Sequence, residues 1–479
     1  MENQQNSTTN HQQLTLRGMI IGSAGALIIT ISSLYVALKL GALPWPIIFV
    51  ALVSMGALKA LKNTNINEIN VTHTAMSAGA MVAGGVAFTI PGIWMLDPNI
   101  SVSALLLLTI TIGGVILGLI FTALLRRYFI ETKALPYPMG MAAAETIIAG
   151  DQGGRKAKLL FASMGGAGIF TFLRDGLSLI PPMLFSGVAI PGISFGVWTS
   201  PMMISVGYII GPLFLSVWFL GALIGDFGLV FAATHLGLWD LAAAADIKTG
   251  LGIGVMVGTG AGIIIKSILP QAKEIFSPMF RKSTQDQTMI SMRWAPWFLI
   301  ILAFLFTFIA DLSPWASILI ILGAWLTTSM SCLIVGQSGI NPMEIFGVIV
   351  LLLVKLIGET GVVPLFFTAA VIAVACGLTG DVMNDFKSGH LLKTNPKNQL
   401  IAEAIGGLIG AVVSVGVLLL FVKAYGTTAF GAGGMFVAPQ ASMVAAMVGG
   451  IANMPAFFIG LGIGLLLYLV NFPVMTLGL

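Results

Sequence analysis

The sequence predicts an all-α polytopic membrane protein with about 15 transmembrane helices (14–16), in two parallel repeats that each carry a re-entrant element. Three observations predict it. First, 57% of the 479 residues are hydrophobic, only 8% are charged, and the mean hydropathy is +1.01. A soluble domain carries roughly 25% charged residues. Second, the apolar runs are about 18–28 residues long and do not alternate, which favours membrane helices over barrel strands. Third, several Gly- and Pro-containing anchors recur at offsets near 240 residues, about half the chain.

In chain order, residues 1–16 form a polar tail with no basic segment ahead of an apolar core, so a cytoplasmic tail is expected rather than a signal peptide. The first repeat, 17–236, holds spans at about 18–38, 44–61, 69–93, 102–125, 159–187, 200–216 and 218–236. Residues 237–292 supply a connecting span near 250–268 and a polar cytoplasmic loop, Lys273 to Arg293. The second repeat, 293–479, holds spans at about 295–311, 315–335, 342–360, 362–378, 400–422, 437–451 and 453–472. Gly211-Pro212 and Asn453-Met-Pro455 interrupt apolar stretches, each of which could be one bent helix or two.

The charges orient this arrangement. With the N-terminus inside, 17 of the 22 Lys and Arg residues fall in cytoplasmic segments, leaving Lys39, Arg174, Lys248, Lys355 and Lys423. The net charge of +4 is therefore topological, and no basic stripe interleaved with aromatics points to nucleic acid. Cys332 and Cys376 lie inside apolar runs as small core residues, with no disulfide or zinc spacing.

The same constraint shapes Leu135–Gly150. Arg126/Arg127 and Arg155/Lys156 both belong inside, and 16 residues are too few for two crossings, which need roughly 40. The segment is expected to dip into the membrane and return. The polar run Gly377–Gln399 is read as its counterpart, with Ala144-Glu145 set against Asn384-Asp385. Supporting anchors are Gly165-Gly166 against Gly406-Gly407, Pro201 against Pro439, and Gly221–Gly225 against Gly460–Gly464.

Gly250, Gly254, Gly258 and Gly262 recur every four residues within a span. No strand precedes them and no Gly-Lys-Ser/Thr follows, so they form a helix-packing face rather than a phosphate loop. There is no His-Glu-x-x-His, Gly-x-Ser-x-Gly or Walker motif, and His11, His73, His235 and His390 are far apart. An enzyme, a cofactor or a dedicated metal site is not expected, and His73 is read as a satisfied polar residue in a helix interface.

Charges inside spans are costly, roughly 2.5–3.5 kcal/mol at the bilayer centre on insertion scales. Here they are Arg174 with Asp175, Asp226, Lys355 with Glu359, and Glu403. Lys355 and Glu359, four apart, can pair on one helix face; Arg174 and Asp175 are adjacent and should each find a partner on another helix. Asp226, Lys355 and Glu359 are proton-coupling candidates. The strongest polar constellation is Glu145, Asn341, Glu344, Asp381, Asn384 and Asp385. Asn341-Pro342 opens a span whose N-terminus suits an anionic group, and the acids can receive an amine or a proton, so a zwitterionic substrate fits.

These residues carry a resemblance. Gly380-Asp381, Asp385-x-Lys387-x-Gly389-His-Leu-Leu and Pro396-Lys-Asn-Gln399 resemble the oligopeptide transporter (OPT) superfamily. So do Leu135-Pro-Tyr-Pro-x-Gly140 with Ala-x-Glu145, and Gly339-Ile-Asn-Pro-Met-Glu-Ile-Phe-Gly347. The likeness runs from Leu14 to near the C-terminus and is that of a short, prokaryotic member. The Asn-Pro-Gly and Lys-Ile-Pro-Pro-Arg motifs of the fungal and plant peptide branch are missing. The resemblance implies a proton-coupled secondary transporter in the cell (inner) membrane, its partners being substrate, protons and lipid, with homo-oligomerisation left open. It implies import of small peptides or, as in the yellow-stripe-like branch, of metal–chelate or siderophore complexes. By this reading Glu145, Asp381 and Asp385 bind the substrate amine or carry the proton, while Asn341, Asn384 and Glu344 orient the substrate. A channel or an intramembrane enzyme is the alternative of another class.

Overall fold

The structure, a computed structural model, describes residues 12–41, 43, 46–185, 187, 188, 190, 193, 195–275, 294–431, 433–451 and 453–473. It is all-α and polytopic. In order the helices are α1 (Leu16–Leu40), α2 (Ile47–Ala60), α3 (Ile66–Ala87), α4 (Gly92–Leu96), α5 (Ala104–Arg126), α6 (Pro138–Gln152), α7 (Gly154–Thr171), α8 (Pro201–Ile210) and α9 (Pro212–Ala222). Then come α10 (Ala233–His235), α11 (Leu241–Ile263), α12 (Ala295–Phe308), α13 (Pro314–Ser338), α14 (Met343–Leu356), α15 (Val362–Leu392), α16 (Pro396–Tyr425), α17 (Pro439–Gly449) and α18 (Met454–Leu469). Among the described residues the strands are one short antiparallel pair, Met183–Leu184 with Val197–Trp198.

Local sequence sets the boundaries. Proline opens α6, α8, α9, α13, α16 and α17, where its missing N–H costs nothing and its fixed φ suits the first turn. Thr15, Asn65, Ser103, Asp240, Ser313 and Asn453 each accept a backbone N–H from the turn they precede. Gly211 separates α8 from α9, and α17 meets α18 at 115°, so both interrupted stretches are pairs of helices.

Among the described residues eight helical segments are long and apolar enough to cross a membrane, or nine with α17 and α18 taken as one broken span. The predicted runs near 44–61, 200–216 and 295–311 are shorter helices. The run at 159–187 is corrected: its helix ends in a π turn at Phe172–Gly176, ahead of Pro181-Pro182, which cannot continue it. Arg174 pairs with the adjacent Asp175 (Nη2–Oδ2 2.6 Å) and donates to the Thr199 carbonyl, instead of seeking an acid on another helix.

Two spans form the centre. In Ile66–Leu96 (α3 with α4) 89% of the apolar window is buried, and in Val362–Leu392 (α15) 83%. Their polar residues are surrounded by other helices, not by lipid.

Two series of helices share an order of lengths, in a different register from the one the anchors suggest. α1 and α13 are each 25 residues long and end on left-handed glycines, Gly41 (φ 65°) and Gly339 (φ 75°). α2 and α14 are each 14 residues, and Ile66–Leu96 and Val362–Leu392 are each 31. A long span, a short helix and a further helix follow in both cases: α5, α6, α7 and α16, α17, α18. The contacts are reciprocal. Tyr137 N, at the start of α6, donates to Gly336 O of α13, and Ala438 N, at the start of α17, donates to Leu38 O of α1. Gly114 and Gly118 of α5 lie against Val371, Val374 and Ala375 of α15, as Gly406 and Gly410 of α16 lie against Ala75 and Gly79 of α3.

The two central helices run antiparallel. Asn70 meets Ser388, Ser77 meets Asp385, Met81 meets Gly377 and Gly85 meets Val374. Helices of matching length that run in opposite senses do not fit the parallel arrangement that the anchors suggest. Gly-rich apolar segments match in many registers, which is why Gly165-Gly166 aligned with Gly406-Gly407. The former face open space and the latter are packed against neighbours. The counterpart of the short element α6 is α17, and Gly377–Gln399 is not re-entrant. It is the end of α15, a turn at Lys393 (φ 60°) and the start of α16.

The glycine stripe of α11 packs as its spacing implies. A Cβ on Gly254 would lie 2.1 Å from Phe457 O, and one on Gly464 2.1 Å from Val255 O, so α11 and α18 touch backbone to backbone.

Candidate functional site

The polar run on α15 is held by what surrounds it. Asp381, Asn384, Asp385 and Ser388 follow helical spacing, and Asp385 and Ser388 meet α3. Ser77 Oγ donates to Asp385 Oδ2 (3.1 Å), and Ser388 Oγ donates to Asn70 Oδ1 (3.0 Å). Asn70 Nδ2 donates in turn to Thr394 Oγ1 (2.9 Å), and Gln399 Nε2 from α16 to Asp385 O (2.6 Å). Elsewhere on α15, Asn384 Oδ1 accepts from Gly140 N (3.0 Å) and Lys387 Nζ donates to Leu135 O (2.8 Å). The Leu135–Gly140 motif is thereby clamped to the Asn384–Lys387 turn, and Tyr137 OH adds a bond to Cys332 O (2.9 Å).

Lys387→Met would leave the buried Leu135 carbonyl without its donor. The expected loss is roughly 1–3 kcal/mol, read as a lower thermal midpoint and faster proteolysis within 130–138. An unchanged midpoint would mean that this clamp is not holding the motif.

Beside the network lies a cluster of different character. Asp381 and Asp385 stand one turn apart on α15, and Glu403 of α16 joins them; a carboxylate oxygen from each lies within 4.8 Å of the others. All three are 0% exposed. Both oxygens of Asp381, both of Glu403 and Oδ1 of Asp385 have no hydrogen-bond partner. His73 of α3 is also 0% exposed, its two ring nitrogens have no hydrogen-bond partner, and its Nε2 lies 3.8 Å from Asp385 Oδ1. This corrects the expectation for His73: it is buried in an interface but not satisfied there. Among the described residues no lysine or arginine forms an ion pair with the three acids. Unit charges 4 Å apart interact by roughly 4 kcal/mol at an effective dielectric of 20. Three enclosed carboxylates at such distances therefore need a positive partner, a proton or a cation.

Glycine brings Glu403 in. A Cβ on Gly406 would meet Ala75 O at 2.1 Å, and one on Gly410 would meet Gly79 Cα at 2.5 Å. α16 can lie this close to α3 only because these positions lack side chains. Glu403, one turn before Gly406, is carried into the interface.

The other predicted site residues lie outside the cluster. Asn341 is half-buried at the α13–α14 break, where Nδ2 donates to Cys376 O (2.8 Å) and Oδ1 accepts from Ser331 Oγ (3.1 Å). Glu344 is half-buried in the first turn of α14. Glu145 is exposed on α6 and does not join Asp385. Asp226 is half-buried and paired with Lys248. Lys355 donates to Met447 O and Val448 O at the end of α17, while α14 stops at Leu356, so Lys355 and Glu359 do not share a helix face. Glu359 Oε1 instead accepts from Gly361 N (3.4 Å). Cys332 and Cys376 are free and buried, in keeping with core packing.

Sequence reasoning singled out Glu403 as a charge within a span, without placing it beside Asp381 and Asp385. A signal for it exists. Asp385 lies about two turns before Lys393 and Glu403 about two turns after Asn395, so a tight helical hairpin sets them at one level.

Comparisons with known proteins agree with this architecture. The family model for OPT oligopeptide transporter proteins matches residues 13–476. A Haemophilus influenzae protein provisionally named an oligopeptide transporter is 28% identical over 454 residues, covering 82% of this chain and 70% of that one. Shorter matches link it to plant proteins. The metal-nicotianamine transporter YSL2 of Arabidopsis thaliana is 48% identical over 59 residues, 11% of this chain and 9% of its own. The iron-phytosiderophore transporter yellow stripe 1 of Zea mays is 45% identical over 47 residues, 10% of this chain and 7% of its own. An all-α bundle of membrane-length helices, matched almost from end to end by one family, is a transporter and not an enzyme: the chain belongs to the OPT oligopeptide transporter family.

Proposed function

We propose that the chain is a secondary active transporter that imports small peptides together with protons across the cell membrane, with its N-terminus cytoplasmic. The observation that carries the coupling is the enclosed trio Asp381, Asp385 and Glu403, with which no lysine or arginine among the described residues forms an ion pair. Such a group gains positive charge when the surrounding helices close over it and releases it when they open, which ties ion movement to conformation. Asp381 and Asp385 then act in coupling, not as contacts to a substrate amine, because both are 0% exposed. The substrate falls to the more accessible polar groups, Glu145, Asn341 and Glu344, with Asn384 holding the α6 motif in register. Asp226, Lys355 and Glu359 are engaged elsewhere and are better read as structural.

The long Haemophilus match favours peptides. The local matches to metal-nicotianamine and iron-phytosiderophore transporters favour a metal chelate as the second reading. Proteoliposomes offered labelled di- and tripeptides and a metal–nicotianamine complex, with and without an inward acid gradient, separate the two. Saturable peptide accumulation that requires the gradient is the expected result. Uptake of the chelate alone would move the assignment to the second reading. Accumulation indifferent to the gradient would remove proton coupling, and unsaturable ionic current would indicate a channel.

A further inference from the structure

Two short helices are held by the same device. α6 has 15 residues and α17 has 11, against the roughly 20 that a crossing needs. Each is entered through a non-glycine residue in left-handed backbone followed by proline: Tyr137 (φ 46°) and Pro138, Ala438 (φ 40°) and Pro439. At that entrance each hangs on the end of a long helix, Tyr137 N donating to Gly336 O and Ala438 N to Leu38 O. At its other end each receives a lysine. Lys59, the penultimate residue of α2, donates to Gly150 O (2.8 Å). Lys355, the penultimate residue of α14, donates to Met447 O (3.2 Å) and Val448 O (2.9 Å). We propose that Lys59 and Lys355 are the matched anchors of two gates, α6 and α17, which close opposite ends of the central helix pair.

Contacts to the central helices place the two gates. α6 starts against the last turns of α15, where Gly140 N donates to Asn384 Oδ1 and a Cβ on Gly140 would lie 2.2 Å from Asn384 O. α17 starts against the other end of the pair. A Cβ on Gly92, where α4 begins, would lie 2.6 Å from Ala441 O and 2.5 Å from the Phe366 ring, in the first turns of α15. The two short helices therefore stand at opposite ends of α15, and Asp381 and Asp385 lie nearer the α6 end.

The chemistry of the anchor suits a reversible catch. The last carbonyls of a helix have no partner within it and carry the negative end of its dipole, so an ammonium group both caps and offsets them. Gly150, Met447 and Val448 are buried, whereas Lys59 and Lys355 are half-buried and reach water on release. Lys59 also meets Asp151 (3.3 Å), while Lys355 forms no ion pair among the described residues, so the α6 anchor carries a charge pair that the α17 anchor lacks. The bonds that take Lys355 out of proton coupling thus give it a positioning role. Because each lysine holds a different short helix, the two ends can open one at a time, as alternating access requires. The assignment rests on the transport reading but needs neither a peptide nor a proton.

The test places a single reporter thiol on each gate, Ala143→Cys in α6 or Ala441→Cys in α17, both positions being 0% exposed. The full-length chain also carries Cys332→Ala and Cys376→Ala, so that no other thiol reacts. Protein reconstituted in one orientation is treated with a membrane-impermeant maleimide from either face, without substrate or gradient. Lys59→Met should speed labelling at position 143 roughly tenfold from one face, the shift in an opening equilibrium that loss of one charged hydrogen bond implies. Position 441 should keep the parent rate. Lys355→Met should do the converse, from the opposite face. Lys59→Arg and Lys355→Arg retain a donor and should label like the parent. Lys59→Gln and Lys355→Gln replace any methionine variant that size exclusion shows to be unfolded. Unchanged labelling in both lysine variants, faster labelling of both reporters by either variant, or labelling of the two from the same face overturns the gates. Gradient-driven uptake is measured separately. A chain without proton coupling still shows the two-sided labelling, so failure of the gates and failure of coupled transport give different results.

Discussion

Replacing Asp381 with asparagine should reduce gradient-driven accumulation to the level of empty vesicles while the protein folds at least as well as the parent. Asparagine keeps the shape of the side chain but holds neither a negative charge nor an exchangeable acid proton. Asp381 has no hydrogen-bond partner on either oxygen, so no structural bond is lost. The substitution instead removes one of three like charges from an enclosed cluster, and its thermal midpoint should rise. Lower function with higher stability is a signature that a merely structural role would not produce. Substrate exchange at equal concentrations, which needs no net ion movement, should continue in the variant. Full gradient-driven accumulation in Asp381→Asn would remove the residue from coupling altogether.

The second large effect is expected at a residue with no side chain. Gly406→Leu would put a Cβ 2.1 Å from the Ala75 carbonyl, a contact that only backbone movement can relieve. Overpacking a tight interface costs typically 1–3 kcal/mol, and the obstruction here is backbone, so the upper part of that range applies. Moving α16 away from α3 also moves Glu403 away from His73 and Asp385. Transport should therefore be lost together with stability, in contrast to Asp381→Asn. Gly416→Leu on the same helix, where a Cβ would meet nothing within 4 Å, serves as the control and should change neither. Equal melting of the Gly406 and Gly416 variants would show that the close approach is not required.

The sequence was informative where a local pattern has one physical meaning. Charge scarcity and run length imply membrane helices, proline and asparagine mark where α13 gives way to α14, and four-residue glycine spacing marks α11 as a packing helix. The Asp381–Asp385 pair was visible for the same reason, as acids flanked by apolar sequence. It misled where a pattern has two meanings. The polar residues after Gly377 suggested a re-entrant element, yet Asn384, Asp385 and Ser388 find partners on neighbouring helices and Lys387 on the Leu135 carbonyl, so α15 runs on to Leu392. His73 was unremarkable in sequence because its neighbours in the cluster come from helices more than 300 residues away. The pairing of helix lengths was hidden because residue identity does not follow it.

The pairing of the two helix series has a consequence for direction. Matching Gly114 and Gly118 to Gly406 and Gly410, and Ala375 to Gly79, sets Thr111 opposite Glu403, Gly85 opposite Asp381, Thr89 opposite Asp385 and Ala369 opposite His73. In this pairing the acids and the imidazole occur in one member of each pair only. If the halves exchange conformations to face the opposite side, a symmetric scaffold alone would leave the two orientations close in energy. A cluster on one side of the pairing would lift that degeneracy, and under the proposed coupling its occupancy by a positive ion would set which orientation is preferred at rest. On this view the gradients alone set the direction of net flux, while four side chains on one member of each pair bias where the cycle rests.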